Sequence, residues 1–355
     1  MISETKAIRI TRAKESKLKG QNLAELKFGS QFTDHMFVAD YVNGAWQVPD
    51  ILPYENISLD PATSFIHYGQ SIFEGLKAHK SENGDTFLFR PKSNWMRMNH
   101  SAERLCMQPI PEELFMEGML QLLNVDRDWI PSGDSSSIYV RPFMFGTEAF
   151  LGVRPSSSYR FMVILSPSGS YYAKPVKVKI ETEYARAMTG GVGSAKTSGN
   201  YAASLFPASL GQKKGFDQLI WTDAKNHEKI EESGTMNVMF VVDGKLITPK
   251  LSSSILAGIT RDSVITIARE KGIAVEQRDV FVSEIISAIK SGTLTEAFGV
   301  GTAATIAHIE SIGYQGDILE LNPIANRTIS PFIEKYLNDY KRGRIEDKYG
   351  WLVKV

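Results

Sequence analysis

The chain has 355 residues, of which 43% are hydrophobic and 23% are charged, as in an ordinary globular protein. Its 40 Lys and Arg residues balance its 40 Asp and Glu residues, so the formal net charge is zero and we expect no nucleic-acid partner. No stretch reaches the roughly 18 apolar residues that a membrane span needs. The length is about twice that of a typical domain and predicts two domains.

The single cysteine, Cys106, excludes an internal disulfide bond and favours a reducing compartment, so we expect a cytoplasmic protein. Residues 1–20 are polar and mixed in charge, without the apolar run and small-residue cleavage site of a secretion signal. The six histidines form no pair at helical ligand spacing, and we therefore expect no metal site.

The first half of the chain predicts strands joined by hairpins. Asn43-Gly44 separates two apolar runs, as a two-residue type I′ turn requires, and Asn83-Gly84 repeats this pattern before DTFLFR. A helical stretch is expected from Lys92 to Asp126, followed by two buried strands in SSIYVRPFMFG and SYRFMVILSP. Strands and helices mixed without strict alternation predict an α+β organisation.

The stretch SPSGSYYAKP, from Ser166 to Pro175, is rich in Ser, Gly and Pro between two predicted strands. We take it as the candidate domain boundary. The resulting division is a small N-terminal α/β domain over residues 1–168, a linker over 169–177 and a larger C-terminal domain over 178–355.

The second half alternates strand and helix signals. After the strand VKVKIETEY, a helix is expected to end at Gly215, and DQLIWTD predicts a buried strand. Asp243-Gly244 predicts a further hairpin. The stretch SILAGITRDSVITIAREKG predicts a turn that enters a helix, and SPFIEKYLNDYKRG predicts a terminal helix.

Three glycine-containing turns could present backbone N–H groups to a phosphate: GGVGSAKT, AGITRDS and FGVGTAAT. The first differs by one residue from a nucleotide-binding P-loop, because Ala195 occupies the place of the second glycine. A nucleotide-dependent phosphotransferase that uses residues 190–197 is therefore one interpretation. Gly299, Gly301 and Ala304 fit a G-x-G-x-x-A pattern, which is weak evidence alone.

Lys196 lies among small residues in SAKTSGNYAASL, where a carbonyl group has room to approach its amine. Pyridoxal phosphate requires such a lysine as its Schiff-base partner, an acid opposite the pyridine nitrogen and a phosphate cradle. Glu231 and Glu232 in IEESGTMN supply the acid, and because only one can face the ring, we expect the other to be solvated or structural. Thr260 and Thr302 add hydroxyl donors to the glycine turns.

Taken together, these motifs resemble the branched-chain amino acid aminotransferases, a family of fold type IV pyridoxal phosphate enzymes. The most specific blocks are GGVGSAKTSGNYAASL and EESGTMNVMF, and IHYGQSIFEGLKA, FRPKSNWMRM, IYVRPFMFGTEAFLGV, LAGITRDS and FGVGTAA extend the likeness over nearly the whole chain. The resemblance implies a mixed α+β/α/β, two-domain fold like that of D-amino acid aminotransferase.

The same resemblance implies a role for individual residues. Lys196 is the catalytic residue and binds pyridoxal 5′-phosphate covalently, Glu232 pairs with its pyridine nitrogen, and Tyr201 hydrogen-bonds its phenolic oxygen. The implied phosphate ligands are Arg97, Ile259, Thr260 and Thr302. The implied substrate-binding residues are Thr235, Ala303 and Ala304 for the α-carboxylate, Phe28, Tyr68 and Tyr139 for the aliphatic pocket, Arg141 for the second carboxylate of glutamate, and Leu151 and Val153 in a loop that reaches a neighbouring subunit.

The predicted activity is reversible transamination of leucine, isoleucine or valine with 2-oxoglutarate, giving branched 2-oxo acids and glutamate, in a homodimer. The residues leave two alternatives open. A D-amino acid aminotransferase or an aminodeoxychorismate lyase would share Lys196 and Glu232, and a phosphotransferase would use the loop at residues 190–197.

Overall fold

The computed structural model describes residues 7–23, 26, 28–169 and 174–355, and these fold as two compact units. The first unit takes Met1–Tyr171, Ala195–Ser198 and Asp339–Val355, and the second takes Tyr172–Ser194 and Gly199–Asn338. The chain thus leaves the second unit for four residues around Lys196 and then returns to it.

The described residues form nineteen strands and seven α-helices. The strands are β1 (Arg9–Ile10), β2 (His35–Val42), β3 (Ala45–Trp46), β4 (Asp50–Pro53), β5 (Ser71–Phe73), β6 (Leu76–Lys80), β7 (Thr86–Phe89), β8 (Ser137–Gly146), β9 (Tyr159–Ser168), β10 (Val176–Ile180), β11 (Gln218–Thr222), β12 (Ile230–Ser233), β13 (Met236–Val242), β14 (Lys245–Pro249), β15 (Val275–Arg278), β16 (Leu294–Gly301), β17 (Thr305–Tyr314), β18 (Asp317–Glu320) and β19 (Leu352–Lys354). The helices are α1 (Ser64–Tyr68), α2 (Pro91–Arg104), α3 (Glu112–Val125), α4 (Ser198–Lys213), α5 (Ile259–Glu270), α6 (Val282–Ser291) and α7 (Ile329–Lys341).

The first unit is built on a sheet with the order β1-β4-β2-β9-β8-β6-β7-β19, in which β3 also pairs with β2 and β5 with β8. Strands β8 and β9 are buried along most of their length and pair antiparallel over ten residues. Helices α2 and α3 supply apolar side chains to the same core, in which Phe115 stacks on Phe161. The polar side chains described below lie on β5, β8 and α2 around this framework.

The second unit has a sheet with the order β12-β11-β10-β17-β16-β13-β14-β15, and β12 also pairs with β13, so part of the sheet closes on itself. Its core residues come from strands along this path, including Val178 of β10, Phe240 of β13 and Ile309 of β17, and helix α6 adds residues to the same core. Because β10 is parallel to both β11 and β17, the connections that leave these strands pass outside the sheet as helices and long loops.

Two of the three predicted Asn-Gly or Asp-Gly hairpins are confirmed as two-residue turns. Asn43 and Gly44 have φ values of 53° and 79°, and Asp243 and Gly244 have 48° and 73°, as a type I′ turn requires at both central positions. Asn83-Gly84 also lies in a hairpin, but its turn is longer, because Ser81 and Asp85 close it through a backbone hydrogen bond of 2.7 Å.

The helical stretch expected from Lys92 to Asp126 is confirmed, but it is divided into α2 and α3, a break that the sequence analysis did not predict. The chain turns at Cys106, whose φ is 54°, and Pro109 and Pro111 follow before α3 starts. Proline lacks the N–H group that a helix interior needs, so the helix cannot continue through this segment.

The predicted domain limits differ from the two units at several points. Strand β9 continues to Ser168 and β10 starts at Val176, so both ends of the predicted linker lie in or beside strands, and residues 170–173 lie outside the described residues. Residues 339–355 belong to the first unit, since β19 pairs antiparallel with β7. Helix α7 is therefore not the terminal element. No helix in the described ranges is long and apolar enough to cross a membrane.

Candidate active site

Lys196 is held through its backbone inside the first unit. Its carbonyl oxygen accepts a hydrogen bond of 3.0 Å from the Phe73 N–H, and its own N–H donates to Ser101 Oγ at 2.9 Å. The half-buried side chain extends over an aromatic ring, with Nζ 4.7 Å from the centroid of Phe73. The neighbouring Thr197 also bonds to this unit, because its hydroxyl donates to the Ser71 carbonyl at 2.9 Å. The backbone at Lys196 is therefore fixed to β5 and α2, which limits the orientations of its amine, as a reactive group requires.

Arg97 is not the surface charge that its helix position would suggest, since its side chain is only 10% exposed. It forms a two-pronged ion pair with the fully buried Glu74, with Nε 2.7 Å from Oε1 and Nη2 2.8 Å from Oε2. Burial raises the pKa of Glu74, but Arg97, Lys196 and Asn94 together bring it below its ordinary value. The carboxylate is thus kept ionised, chiefly by its contact with Arg97 and also by the charge of Lys196.

The first unit also contains three residues that the resemblance implies for the substrate, and these form contacts close to Lys196. Arg141 donates from Nη2 to the Tyr139 hydroxyl at 2.9 Å, and its guanidinium lies 4.6 Å from the Phe73 ring centroid. Phe28 meets the Tyr139 ring edge-on at 4.8 Å. The Nε atom of Arg141 is buried and has no hydrogen-bond partner among the described residues. Arg141, with an unused donor, therefore lies over the same ring as Lys196 and links it to the aromatic pair of Tyr139 and Phe28.

Tyr68, Leu151 and Val153 are placed differently, because all three are exposed on the first unit, at 44%, 66% and 90%. The loop after β8 is tied to α1 by backbone bonds between Ser64 and Glu148 and between Phe150 and Ala62. Within one chain these apolar side chains therefore face solvent.

Glu232 lies in β12 of the second unit and is 3% exposed. Its Oε1 atom accepts a 2.7 Å hydrogen bond from the Leu256 N–H and a longer one, 3.4 Å, from Asn237. Its Oε2 atom lies 3.1 Å from the Nε atom of Arg186 as an ion pair, and the Nη2 atom of Arg186 donates to the carbonyl oxygens of Gly193 and Ser254. An acid held by such a network is pre-oriented for a single partner.

Of the two alternatives expected for Glu231, solvated or structural, the structure favours the structural one, since this residue is 9% exposed. Its Oε1 atom accepts a hydrogen bond from the Ser254 hydroxyl, and its Oε2 atom has no partner among the described residues. Burial raises the pKa of Glu231 despite this hydrogen bond and the neighbouring Arg186. The register of β12 against β11 shifts between Ile230 and Glu232, so Glu231 lies at an irregular position of the strand, and the two acids have different hydrogen-bond partners.

The implied phosphate ligands Ile259 and Thr260 form the first turn of α5. This helix begins after Gly258, has no side-chain cap and therefore offers backbone N–H groups to an anion. A Cβ atom on Gly258 would collide with the Asn237 amide, so glycine lets the helix start beside the Glu232 network.

The other residues of the second unit that the resemblance implies for cofactor or substrate lie in turns or in the first turn of a helix. Thr302, Ala303 and Ala304 form the turn after β16, and the next residue, Thr305, has a φ of 64°. A β-branched residue rarely adopts this conformation, and such backbone strain is characteristic of binding loops. Thr235 is exposed in the turn between β12 and β13, and Tyr201 lies half-buried in the first turn of α4.

The structure argues against the P-loop interpretation. A P-loop connects a strand directly to a helix, whereas β10 ends at Ile180, well before the glycine-rich stretch. The Gly190 N–H donates to Ser253 Oγ and the Ser194 N–H to the Ser253 carbonyl. A Cβ atom on Gly193 would approach the Ser254 carbonyl oxygen to 2.5 Å, so Gly193 allows the close packing of two loops.

The family description "Amino-transferase class IV" matches residues 71–312. The chain belongs to the class IV aminotransferases. This class IV aminotransferase is 44% identical to branched-chain-amino-acid aminotransferase 2 of Bacillus subtilis (strain 168), over 100% of the chain and 98% of that protein. It is 41% identical to the branched-chain-amino-acid aminotransferase of Mycolicibacterium smegmatis, over 94% of the chain and 93% of that protein.

A solved structure with the same fold is that of the branched-chain amino acid aminotransferase from Escherichia coli. The match covers 90% of this class IV aminotransferase and 98% of that chain, with 26% identity and a TM-score of 0.71. The family resemblance and the fold type IV class predicted from the motifs are thereby confirmed. The roles of individual residues stay predictions.

Sequence reasoning missed Glu74 and Arg186, the ion-pair partners of Arg97 and Glu232. Each lies inside or beside a block used for the resemblance, Glu74 in SIFEG and Arg186 ten residues before Lys196. A charged residue within an otherwise apolar or small-residue block was the available signal.

Proposed function

We propose that this class IV aminotransferase is a branched-chain amino acid aminotransferase that uses pyridoxal 5′-phosphate and transfers the amino group of leucine, isoleucine or valine to 2-oxoglutarate. The observation that carries the proposal is that Lys196 and Arg141 both lie over the Phe73 ring and that Arg141 donates a hydrogen bond to Tyr139. It combines a fixed amine with an apolar wall and a cation, which a site for both leucine and glutamate needs.

The donors in each unit fit the cofactor. In the first unit, Lys196 supplies the amine that links to the cofactor, and Arg97, ionised and held by Glu74, supplies a planar guanidinium for its phosphate. In the second unit, the uncapped start of α5 supplies N–H groups for the phosphate, with Thr302 as a further ligand. Glu232 pairs with the pyridine nitrogen and Tyr201 with the phenolic oxygen.

Two solved structures of similar proteins support this assignment. Both are branched-chain amino acid aminotransferases, one complexed with N-(5′-phosphopyridoxyl)-L-glutamate and the other with pyridoxamine 5′-phosphate. They match 91% of this chain at 26% and 25% identity. A phosphopyridoxyl group therefore fits a site on this fold.

When bound, pyridoxal phosphate supplies an electron sink for the electrons released at the substrate Cα atom. The chain's residues supply the rest. With the cofactor bound, the Lys196 amine would take up the substrate Cα proton at Nζ and hold it for transfer. Glu232, aligned by Leu256 and Arg186, keeps the pyridine nitrogen protonated.

Substrate recognition is divided between apolar and charged groups. Phe28 and Tyr139 face the aliphatic side chain, and Arg141, with its buried unpartnered Nε atom, binds the second carboxylate of glutamate or 2-oxoglutarate. We assign the α-carboxylate to Thr235, Ala303 and Ala304. Ordering of the loop at residues 302–304 by this carboxylate would compensate the strain at Thr305.

We propose a homodimer, in which Leu151, Val153 and Tyr68 are covered by a second copy of this chain. Their exposure in a single chain supports the proposal, because apolar side chains clustered on one loop and the adjacent helix α1 usually mark an interface. The cytoplasmic location stays a prediction from the single cysteine.

Borohydride reduction of the purified protein followed by peptide mass analysis tests the central assignment. We expect one pyridoxyl group, on Lys196, and none after Lys196→Ala, whose melting temperature should stay close to wild type because its backbone hydrogen bonds remain. Lys92→Ala, at a lysine whose side chain is 64% exposed, is the matched control. A tag on another lysine would overturn the assignment.

A substrate panel tests the specificity. We expect L-leucine, L-isoleucine and L-valine to react with 2-oxoglutarate. Turnover of D-alanine without turnover of L-leucine would identify the D-amino acid alternative, and release of pyruvate from aminodeoxychorismate without any transamination would identify the lyase.

A further inference from the structure

Glu74 is the most deeply buried charged group around Lys196, with no exposed surface. It follows β5 directly, and its N–H donates to the Pro142 carbonyl at 2.8 Å, which fixes the backbone to β8. Both oxygens of the carboxylate are occupied. Oε1 accepts from Arg97, and Oε2 accepts from Arg97, from Asn94 at 2.7 Å and from the Gly75 N–H at 3.2 Å.

The same residues form a continuous chain of contacts that returns to the lysine. Lys196 N–H donates to Ser101 Oγ, and the Ser101 hydroxyl donates to the Arg97 carbonyl at 3.0 Å. Arg97 pairs with Glu74. Phe73, the residue before Glu74, donates its N–H to the Lys196 carbonyl, and its ring lies under the Lys196 amine. Displacement of any one member therefore moves the others.

A buried ion pair is costly, because both charges lose their hydration, and an apolar pair of similar volume would often be as stable. Retention of this pair therefore points to a role besides stability. The charged groups that face Glu74 are Arg97 from α2 and Lys196 from the loop before α4. These two cations are the ones we assigned to the cofactor phosphate and to the covalent link.

We propose that Glu74 is a positioning residue, which holds the Arg97 guanidinium in the plane that binds the cofactor phosphate and balances the charge at Lys196. This inference rests on the proposed function, since it assigns the support of the same site. Glu74 itself touches neither cofactor nor substrate in this proposal. Its two effects are separable, because one acts on the phosphate and the other on the protonation of the group linked to Lys196.

The test measures binding of pyridoxal 5′-phosphate and of pyridoxal, which lacks the phosphate, to the apoenzyme. In Glu74→Gln we expect the affinity for pyridoxal 5′-phosphate to fall by about tenfold or more, and that for pyridoxal to change by less than about threefold. A nearby anion favours the protonated form of the nitrogen linked to Lys196. Loss of this anion in Glu74→Gln should therefore lower the pH midpoint of the cofactor's visible absorbance by about half a unit to one unit.

Asp126→Asn is the matched control, because Asp126 is another buried carboxylate of the first unit, paired with His35 Nδ1 at 2.6 Å and outside the proposed site. We expect neither the ratio of the two affinities nor the pH midpoint to change in this variant. Equal losses of affinity for pyridoxal 5′-phosphate and pyridoxal in Glu74→Gln, or an unchanged midpoint, would overturn the inference by reducing Glu74 to a structural role.

If Glu74→Gln does not fold, Glu74→Asp and the double variant Glu74→Gln/Arg97→Met replace it, because neither leaves a buried cation without an anion. We expect Glu74→Asp to keep the wild-type midpoint but to bind pyridoxal 5′-phosphate more weakly, and the double variant to bind it as Arg97→Met alone does. A further loss of about tenfold in the double variant would contradict positioning through Arg97.

The wild-type control separates the two proposals. A wild-type protein that binds neither compound at Lys196 refutes the proposed function. A wild-type protein that binds both and transaminates leucine, with Glu74→Gln indistinguishable from it, refutes only the inference about Glu74.

Discussion

The Nε atom of Arg186 lies 3.1 Å from Oε2 of Glu232, and both side chains are at least nine-tenths buried. The arginine follows β10 and the acid lies in β12, so an ion pair couples the loop before the glycine-rich stretch to the strand that carries the implied cofactor acid. Arg186 also donates to the carbonyls of Gly193 and Ser254 and thereby holds that stretch in place.

Arg186→Gln should therefore destabilise the apoenzyme by about 3–5 kcal/mol, because Glu232 would stay buried without its cation. Denaturant unfolding of Arg186→Gln, Glu232→Gln and the double variant provides a double-mutant cycle. We expect the double variant to be more stable than the sum of the single effects predicts, by about 1 kcal/mol or more. Strict additivity would show that the two side chains are not coupled.

Gly75→Ala should damage the site for the second carboxylate. A Cβ atom on Gly75 would lie 2.9 Å from Tyr139 Cζ and closer still to the hydroxyl oxygen, so the ring must move and the hydrogen bond from Arg141 is lost. We expect KM for 2-oxoglutarate to rise by about tenfold, the equivalent of one lost hydrogen bond to a charged group. Tyr139→Phe, which removes the hydroxyl but keeps the ring, should give part of this effect, and an unchanged KM in both variants would remove Tyr139 from the site.

Glu296 should make the stability of the second unit pH-dependent. It is 1% exposed and caps the start of α7, since it accepts hydrogen bonds of 2.6–2.9 Å from the N–H groups of Thr328, Ile329 and Ser330 and from the Ser330 hydroxyl. Burial raises the pKa of Glu296, but these bonds bring it below its ordinary value.

A lowered carboxyl pKa adds stability that is fully present above the unfolded value, about 4.3, and is lost as the pH falls through the folded value. At pH 7, Glu296→Gln should cost about 1–3 kcal/mol of unfolding free energy. The difference between the wild type and the variant should narrow as the pH falls below about 4. A difference that is independent of pH would show that the loss is one of packing.

Val153→Asp and Leu151→Asp should weaken the proposed dimer and so lower the molecular mass of the protein in solution. Both side chains are exposed in one chain and would be buried in the proposed dimer, where an added carboxylate is costly. Sedimentation velocity should show a dimer for the wild type and a shift towards monomer for the variants. Val42→Asp, at a valine that is 38% exposed at the end of β2, is the control. A monomeric wild type would refute the proposed assembly.

Local features were the most predictable from the sequence. The turns at Asn43-Gly44 and Asp243-Gly244 depend on two residues that tolerate positive φ, and the start of α5 after Gly258 depends on the neighbouring turn. The division of residues 92–126 into two helices was missed, although Pro109 and Pro111 carried the signal. An apolar repeat that resumes after a short interruption hides the break.

The electrostatic environment of the site was not predictable in the same way. Glu231 and Glu232 are adjacent in sequence, yet one is hydrogen-bonded to Ser254 and the other is paired with Arg186. Likewise, nothing in the helical spacing around Arg97 indicates a fully buried acid beside it, because Glu74 is 23 residues away in the chain. Such pairs depend on which strands and helices become neighbours.

By itself, the sequence determined the family and two of the tight turns and predicted Lys196 as the reactive lysine, because each of these depends on short ordered blocks whose chemistry is local. Only the tertiary structure decided that residues 339–355 return to the first unit through β19, and that Lys196 leans on Phe73. The same holds for Glu74 and Arg186 as ion-pair partners of Arg97 and Glu232. The physical reason is that long-range strand pairing and charge burial are set by the whole fold, which brings distant residues into contact where water is excluded.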